Sequence, residues 1–194
     1  VFGGAVVAGS IGSIQANKSM SVVHHYSKSA PKIELATNNS ALTRKVSILS
    51  NTLKAVGIKA EILAREEEVI WNKLIRLDAI SSMTTALQTD LGEVLGNKRA
   101  KRLLRGLVYE AVLVALKEGL FFDPSKILSD IENLPSSLKT SMQRDVAAGR
   151  VSEAPSITGS IIRLAKKYEV PVPFHEKIFS LIEVQIHKAP NLKE

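Results

Sequence analysis

The stretch "EEVIWNKLIRLDAISSMTTALQ", residues 67–88, reads as one long helix and sets a lysine in an apolar setting. At ~100° per residue, the angular neighbours of Lys73 are Val69, Ile70, Leu77 and Ile80, with Arg76 the polar one on that side. Two readings follow. A lysine stem can lie across apolar surface while its ammonium reaches water. Alternatively the ammonium points into a cleft, where partial desolvation lowers its pKa and suits it to donate a proton. The acids Glu66, Glu67 and Glu68 at the helix start complement the macrodipole.

Downstream the helical period persists, with helices expected near 67–88, 98–118, 124–133, 136–148, 156–169 and 174–187. Gly119 closes one helix, Asp123 and Pro124 suit N-cap and N1 of the next, and "EVPVPF" separates the final two. Upstream, "VFGGAVVAG", "SVVHHYS", "KIELAT" and "KAEILA" read as short strands. Between the last two, Asn39 or Ser40 suits an N-cap, Leu42, Val46, Leu49 and Leu53 follow at helical spacing, and Gly57 suits C′. An α+β part, residues 1–66, thus precedes a helical part, residues 67–194.

The 194 residues are 45% hydrophobic, enough for a packed core and incompatible with a disordered chain. The absence of cysteine excludes a disulfide framework and thiolate zinc sites, and fits a reducing compartment, so a cytoplasmic location is expected. No apolar run reaches the ~18 residues that span a bilayer. The strand-like run starts directly at Val1, which reads as a piece of a longer protein. Net charge is +7, densest in "NKRAKRLLRGL", where Lys98, Lys101, Arg102 and Arg105 oppose Leu103, Leu104 and Leu107. This is the pattern of a surface helix. Without interleaved aromatics or a known motif, a nucleic-acid partner is disfavoured.

Candidate chemistry is sparse. Gly3, Gly4, Gly9 and Gly12 lack the dinucleotide fingerprint and no helix follows them. His24 and His25 would face opposite sides of a strand, and His175 and His187 are not at ligand spacing. The five serines and threonines within residues 81–89 have no paired histidine nearby, which leaves a nucleophilic triad unsupported. In "SMQRDVAAGRVSEAPSITG", residues 141–159, Glu153 sits in a loop just before a helix, where a carboxylate can be no more than a cap ornament.

Several motifs are nevertheless specific together. "WNKL" opens a long helix, Glu110 stands nine before Gly119, and then come Ser141-Met142-x-x-Asp145, Gly149-Arg150, Glu153, Gly159 and "EVPVP". In order and spacing these closely resemble the C-terminal domain of ketopantoate reductases (2-dehydropantoate 2-reductases). The resemblance implies a mainly α fold: a helical domain akin to that of 6-phosphogluconate dehydrogenase, preceded by a truncated remnant of a Rossmann domain. It implies an NADP-dependent reductase of a small 2-keto acid in pantothenate biosynthesis, and leaves room for a homodimer.

Carried over residue by residue, Lys73 matches the catalytic lysine, which polarises the keto oxygen and supplies its proton as NADPH delivers hydride. Glu153 matches the acid that meets cofactor and reacting hydroxyl, and Ser141 a serine on the substrate. Glu110, Asp145, Gly149 and Gly159 match structural positions. Many members carry asparagines four, eight and eighteen residues after the lysine, where this chain has Leu77, Ser81 and Leu91. Ser81 is the only one of the three that keeps a polar group for substrate. The main cofactor-binding loop is absent from this chain, so by itself it is expected to be inactive. The reading from another class is a non-catalytic helical domain that binds a protein or nucleic acid through its basic face.

Overall fold

A computed structural model describes residues 7–12, 16–25 and 31–188. The chain forms two compact units that divide between Lys73 and Leu74, two turns inside the long helix that opens at Glu66.

In the first unit, β1 (Ala8–Gly12), β4 (Lys32–Ala36) and β5 (Lys59–Ile62) form one sheet in the order β1-β4-β5. β1 runs antiparallel to β4, and β4 parallel to β5. A parallel pair needs a crossover, and α1 (Thr43–Ala55) provides it. Asn39 caps the 3-10 turn Ser40–Leu42 ahead of α1, its side chain accepting from the Ala41 N–H. At the other end Gly57 takes φ +83°, while its own N–H and that of Ile58 donate to the Lys54 and Leu53 carbonyls. That Schellman geometry is why a glycine stands there.

Separately, β2 (Ala16–Ser19) and β3 (Val22–His25) form an antiparallel hairpin. Met20 takes φ +53° in its two-residue turn, as such tight connections demand. The strand expected over residues 1–9 begins at Ala8, and residues 1–6 lie outside the described ones. β2 has no counterpart in the sequence reading, because "ANKS" carries neither alternation nor β-branched residues.

The start of α2 (Glu66–Leu87) is clasped to the end of β4. The Asn38 side-chain carbonyl accepts from the Glu66 N–H at 3.1 Å, and the Glu66 carboxylate accepts from the Asn38 N–H at 2.8 Å. One orphan donor of the helix is thus satisfied from outside it.

In the second unit, α4 (Lys98–Lys117) packs against α3 (Leu91–Gly96), α5 (Pro124–Glu132), α7 (Thr158–Lys167) and α8 (Pro173–Lys188), while α8 also meets α6 (Ser141–Ala147) and α7. Leu104, Leu107, Ile131, Met142, Ile161 and Ile178 are fully buried among them. From Asp78 to Ala86 every residue of α2 is buried, including Ser81, Ser82, Thr84 and Thr85. A helix enclosed on all sides usually carries apolar residues throughout, so these hydroxyls need internal partners.

Two helices depart from expectation, for one reason. The helix expected over 136–148 is confined to Ser141–Ala147 with Thr140 as N-cap, and α3 forms where none was expected. The Leu138 and Ser136 carbonyls, freed from helix, accept from the Leu91 and Gly92 N–H groups and so cap α3. Asp90 completes the cap by accepting from the Glu93 N–H. The other ends agree with their punctuation: Asp123 accepts from Ser125 N–H ahead of Pro124, and Gly119 takes φ +72°.

The α4–α8 contact depends on a missing side chain. A Cβ on Gly106 would lie 2.6 to 2.7 Å from the Phe174 ring. Gly106→Ala is therefore expected to destabilise the helical unit by ~1–3 kcal/mol, the usual cost of overpacking. Urea unfolding measures it, and an unchanged midpoint would mean that the ring swings aside freely.

Candidate active site

Of the residues singled out in the sequence, Lys73 belongs to the first unit. It is exposed and, among the described residues, makes no ion pair. Its helical neighbours differ: Val69 and Ile80 are buried, Leu77 is half-buried and Ile70 is exposed. Beside it, Asn72 donates from Nδ2 to Glu34 Oε1 at 2.8 Å, and Lys32 Nζ lies 2.9 Å from the same oxygen. Glu34 is buried on β4, so this bond ties the second turn of α2 to the sheet.

Ser81, Ser141 and Glu153 belong to the helical unit, where one buried turn of α2 connects their surroundings. Thr84 Oγ1 donates to the Ile80 carbonyl at 2.9 Å, so the 3.2 Å contact between Thr84 and Thr140 has Thr140 as donor. Thr140 in turn accepts from the Gln143 N–H as N-cap of α6, which holds Ser141, an exposed first residue of that helix, beside this hydroxyl pair. Ser82 Oγ donates to Asp78 Oδ1 at 3.0 Å, so Thr158 donates across the 2.6 Å contact to Ser82. Thr158 is the first residue of α7, immediately after the turn that carries Glu153.

That turn is held by its backbone. The Glu153 carbonyl accepts from the Ser156 and Ile157 N–H groups at 2.9 Å, and Arg163 Nη1 donates to the Pro155 carbonyl at 3.0 Å. The Glu153 side chain is exposed and, among the described residues, takes no part in capping α7. The cap-ornament reading therefore does not describe it. Ser81 is buried, Leu91 is fully buried in α3, and Leu77 is half-buried. Asp145 and Gly149 lie at the end of α6: the helix stops at Ala147, Gly149 follows at φ +67°, and Arg150 turns back to Asp145 at 2.7 Å.

Sequence reasoning missed Asp78 and His175. His175 is completely buried, its Nε2 3.0 Å from Asp78 Oδ2 and its Nδ1 2.7 Å from Glu110 Oε2. Glu110 also accepts from the Phe174 and His175 N–H groups at 2.8 and 3.0 Å, capping α8 from α4. Burial pushes the imidazole pKa down, but hydrogen bonds to Asp78 and Glu110, together with their charges, outweigh it and hold the pKa up at about 9. The partners stand 97 and 65 residues from His175, beyond any local pattern. A local signal existed at Asp78, an acid four residues before Ser82 on one helix face.

Other sites carry less. Among the described residues no cluster of three or more His, Asp or Glu can hold a metal, and no helix is long and apolar enough to cross a membrane. On the basic face of α4, Lys101 pairs with Glu132 at 2.9 Å, and Arg102 and Arg105 are exposed. A cleft of about 490 Å³ in the first unit is lined by Lys32, Lys54 and Lys59, and one of about 460 Å³ in the helical unit by Leu87, Leu103 and Leu181. Neither is lined by Lys73, Ser81, Ser141 or Glu153.

Residues 66–185 match the family described as ketopantoate reductase PanE/ApbA C terminal. The uncharacterized oxidoreductase YkpB of Bacillus subtilis strain 168 is 25% identical over 165 residues, which cover 82% of this chain and 54% of that protein. A solved structure of dimeric ketopantoate reductase from Staphylococcus aureus is 25% identical with a TM-score of 0.74, covering 90% of this chain and 59% of that one. D-mandelate dehydrogenase in complex with NADH shares the fold at 20% identity with a TM-score of 0.81, covering 94% of this chain and 63% of that one. The chain spans about half the length of the curated relatives it matches. A mainly α fold, the order of the motifs and the match over residues 66–185 agree: the chain belongs to the ketopantoate reductase family of oxidoreductases, through its C-terminal domain.

Proposed function

We propose that this chain supplies the substrate-binding and proton-donating part of a nicotinamide-dependent 2-keto acid reductase. Lys73 would hold the keto oxygen and deliver its proton, Ser141 would bind the substrate carboxylate or hydroxyl, and Glu153 would meet the reacting hydroxyl and the cofactor. Ser81 would serve substrate recognition from the buried turn of α2. The observation that supports this most is the family match, which spans Lys73, Ser81, Ser141 and Glu153 in one run. Their chemistry agrees with it: an ammonium without an ion pair among the described residues suits a developing alkoxide, and hydroxyls suit a carboxylate.

A nicotinamide cofactor supplies hydride in such a reaction. The residues described here do not form its pyrophosphate cradle. In the one parallel crossover among the described residues, β4–α1–β5, the turn into the helix carries Asn38 and Asn39, already engaged as caps, and no glycine. Backbone N–H groups at a glycine-rich turn normally bind the pyrophosphate. The 194-residue chain by itself is accordingly expected to bind NADPH more weakly than micromolar and to show no reductase activity. Calorimetric titration measures this, and micromolar binding would overturn it. NADPH is the cofactor that the family resemblance implies, while NADH is bound in the D-mandelate dehydrogenase structure. Both belong in the assay.

The substrate reading follows from Leu77 and Leu91. Leu91 is sealed in α3, leaving half-buried Leu77 as the apolar replacement at an asparagine position. Losing a hydrogen bond to a substrate hydroxyl costs ~1–3 kcal/mol, about one to two decades in kcat/KM. In the complete reductase, a branched apolar 2-keto acid should be preferred to ketopantoate. Steady-state kinetics on a panel of 2-keto acids tests it, and a clear preference for ketopantoate would reject it.

A further inference from the structure

We infer that His175 is a positioning residue for the loop that carries Glu153, held as a buried cation between Asp78 and Glu110 and acting on that loop through Asp78, Ser82 and Thr158. Its catalytic meaning rests on the reading of Glu153 given above, but the coupling itself is a property of the helical unit.

The charge state follows from geometry. Carboxylates only accept, and both imidazole nitrogens lie within hydrogen-bond distance of carboxylate oxygens, at 3.0 and 2.7 Å. With Asp78 and Glu110 both ionised, each ring nitrogen must carry a proton, which makes the ring an imidazolium. Glu110 is fully engaged on its side by two N–H groups of α8 and the ring. Asp78 is shared: Oδ2 faces the ring and Oδ1 accepts from Ser82, which accepts from Thr158. Each donor in this row has one direction open to it, so a change at the ring is passed along the row. At its far end, Thr158 opens α7 at the close of the Glu153 turn, and α7 has no side-chain cap of its own. The hydroxyl contact to Ser82 is the turn's buried anchor to α2.

The groups that act on the imidazole are Asp78 on α2 and Glu110 on α4, and no charged group of α6 or α7, which also pack on α8, contributes. A pKa raised from 6.5 to about 9 means that the folded chain keeps the ring protonated until pH nears about 9, and that the stability this contributes is full below about 6.5 and is lost as pH rises through about 9. Loss of the proton leaves one nitrogen without a hydrogen to offer a buried carboxylate, and the row must rearrange.

Nuclear magnetic resonance on the 194-residue chain tests this without any assay of activity. At pH 7.5 both ring nitrogens of His175 should be protonated. Between pH 7 and 10 the Ser156, Ile157 and Gly159 amide signals should move with the His175 midpoint, near 9, while those of α5 stay still. Thr158→Val should abolish the loop response and leave the His175 titration in place, and Thr158→Ser should restore it. A singly protonated ring at pH 7.5, loop amides indifferent to the His175 titration, or a loop response that persists in Thr158→Val would each overturn the inference. Should Thr158→Val not fold, the first two measurements on the unaltered chain still decide. Catalytic failure of Lys73→Ala or Glu153→Gln variants would bear only on the functional reading, so the two can fail separately.

Discussion

On the role proposed for Lys73, its replacement by alanine in the complete protein is expected to lower kcat by about two to four decades, the usual contribution of a positioned proton donor. The side chain is exposed and unpaired among the described residues, so its removal breaks no ion pair and opens no cavity. A loss of activity at unchanged thermal stability therefore isolates a chemical role. The backbone under it is held independently, since Asn72 is bonded to Glu34 on β4 and Glu66 to Asn38. Steady-state kinetics beside a melting curve makes the comparison. Near-native kcat in Lys73→Ala would leave only the snorkelling reading of this lysine.

Glu110→Ala is expected to have the largest effect on stability, about 3–5 kcal/mol, the range for removing one partner of a buried charge pair. Three interactions end together. The Phe174 and His175 N–H groups lose their acceptor, and His175 keeps one carboxylate of two. Stranding buried donors costs more than the bonds contributed. Glu110→Gln should retain an acceptor for one of the two α8 N–H groups and lose less. Urea unfolding at pH 7 compares them, and equal losses in the two variants would show that the charge, not the cap, dominates. A loss below about 1 kcal/mol in Glu110→Ala would contradict the buried network.

Local chemistry made much of this fold readable. Gly57, Gly119 and the Asp123–Pro124 pair mark helix ends because left-handed φ, a side-chain acceptor and a missing N–H act within three or four residues. α2 was readable from its period and the acids of its first turn. What escaped depends on distant partners. α3 is capped by the carbonyls of Ser136 and Leu138, some 45 residues away, and the same diversion shortens α6.

The candidate site divides in the same way. Motif order brought out Lys73, Ser141 and Glu153. Asp78 and His175 escaped because two residues 97 apart become a pair only after α2 and α8 have packed. The serines and threonines within residues 81–89 have no histidine near them in the sequence, which leaves a nucleophilic triad unsupported. His175 reaches one of them, Ser82, through Asp78, while Thr84 bonds to the Ile80 carbonyl and Thr140.

A crystal structure of the complete reductase with its cofactor and a 2-keto acid analogue tests the central claim most directly. The expected result is Lys73 Nζ about 3 Å from the keto oxygen, with Ser141 and Glu153 facing the same ligand, the geometry that proton transfer requires. An analogue bound away from Lys73, with Ser141 and Glu153 on unrelated faces, would contradict it.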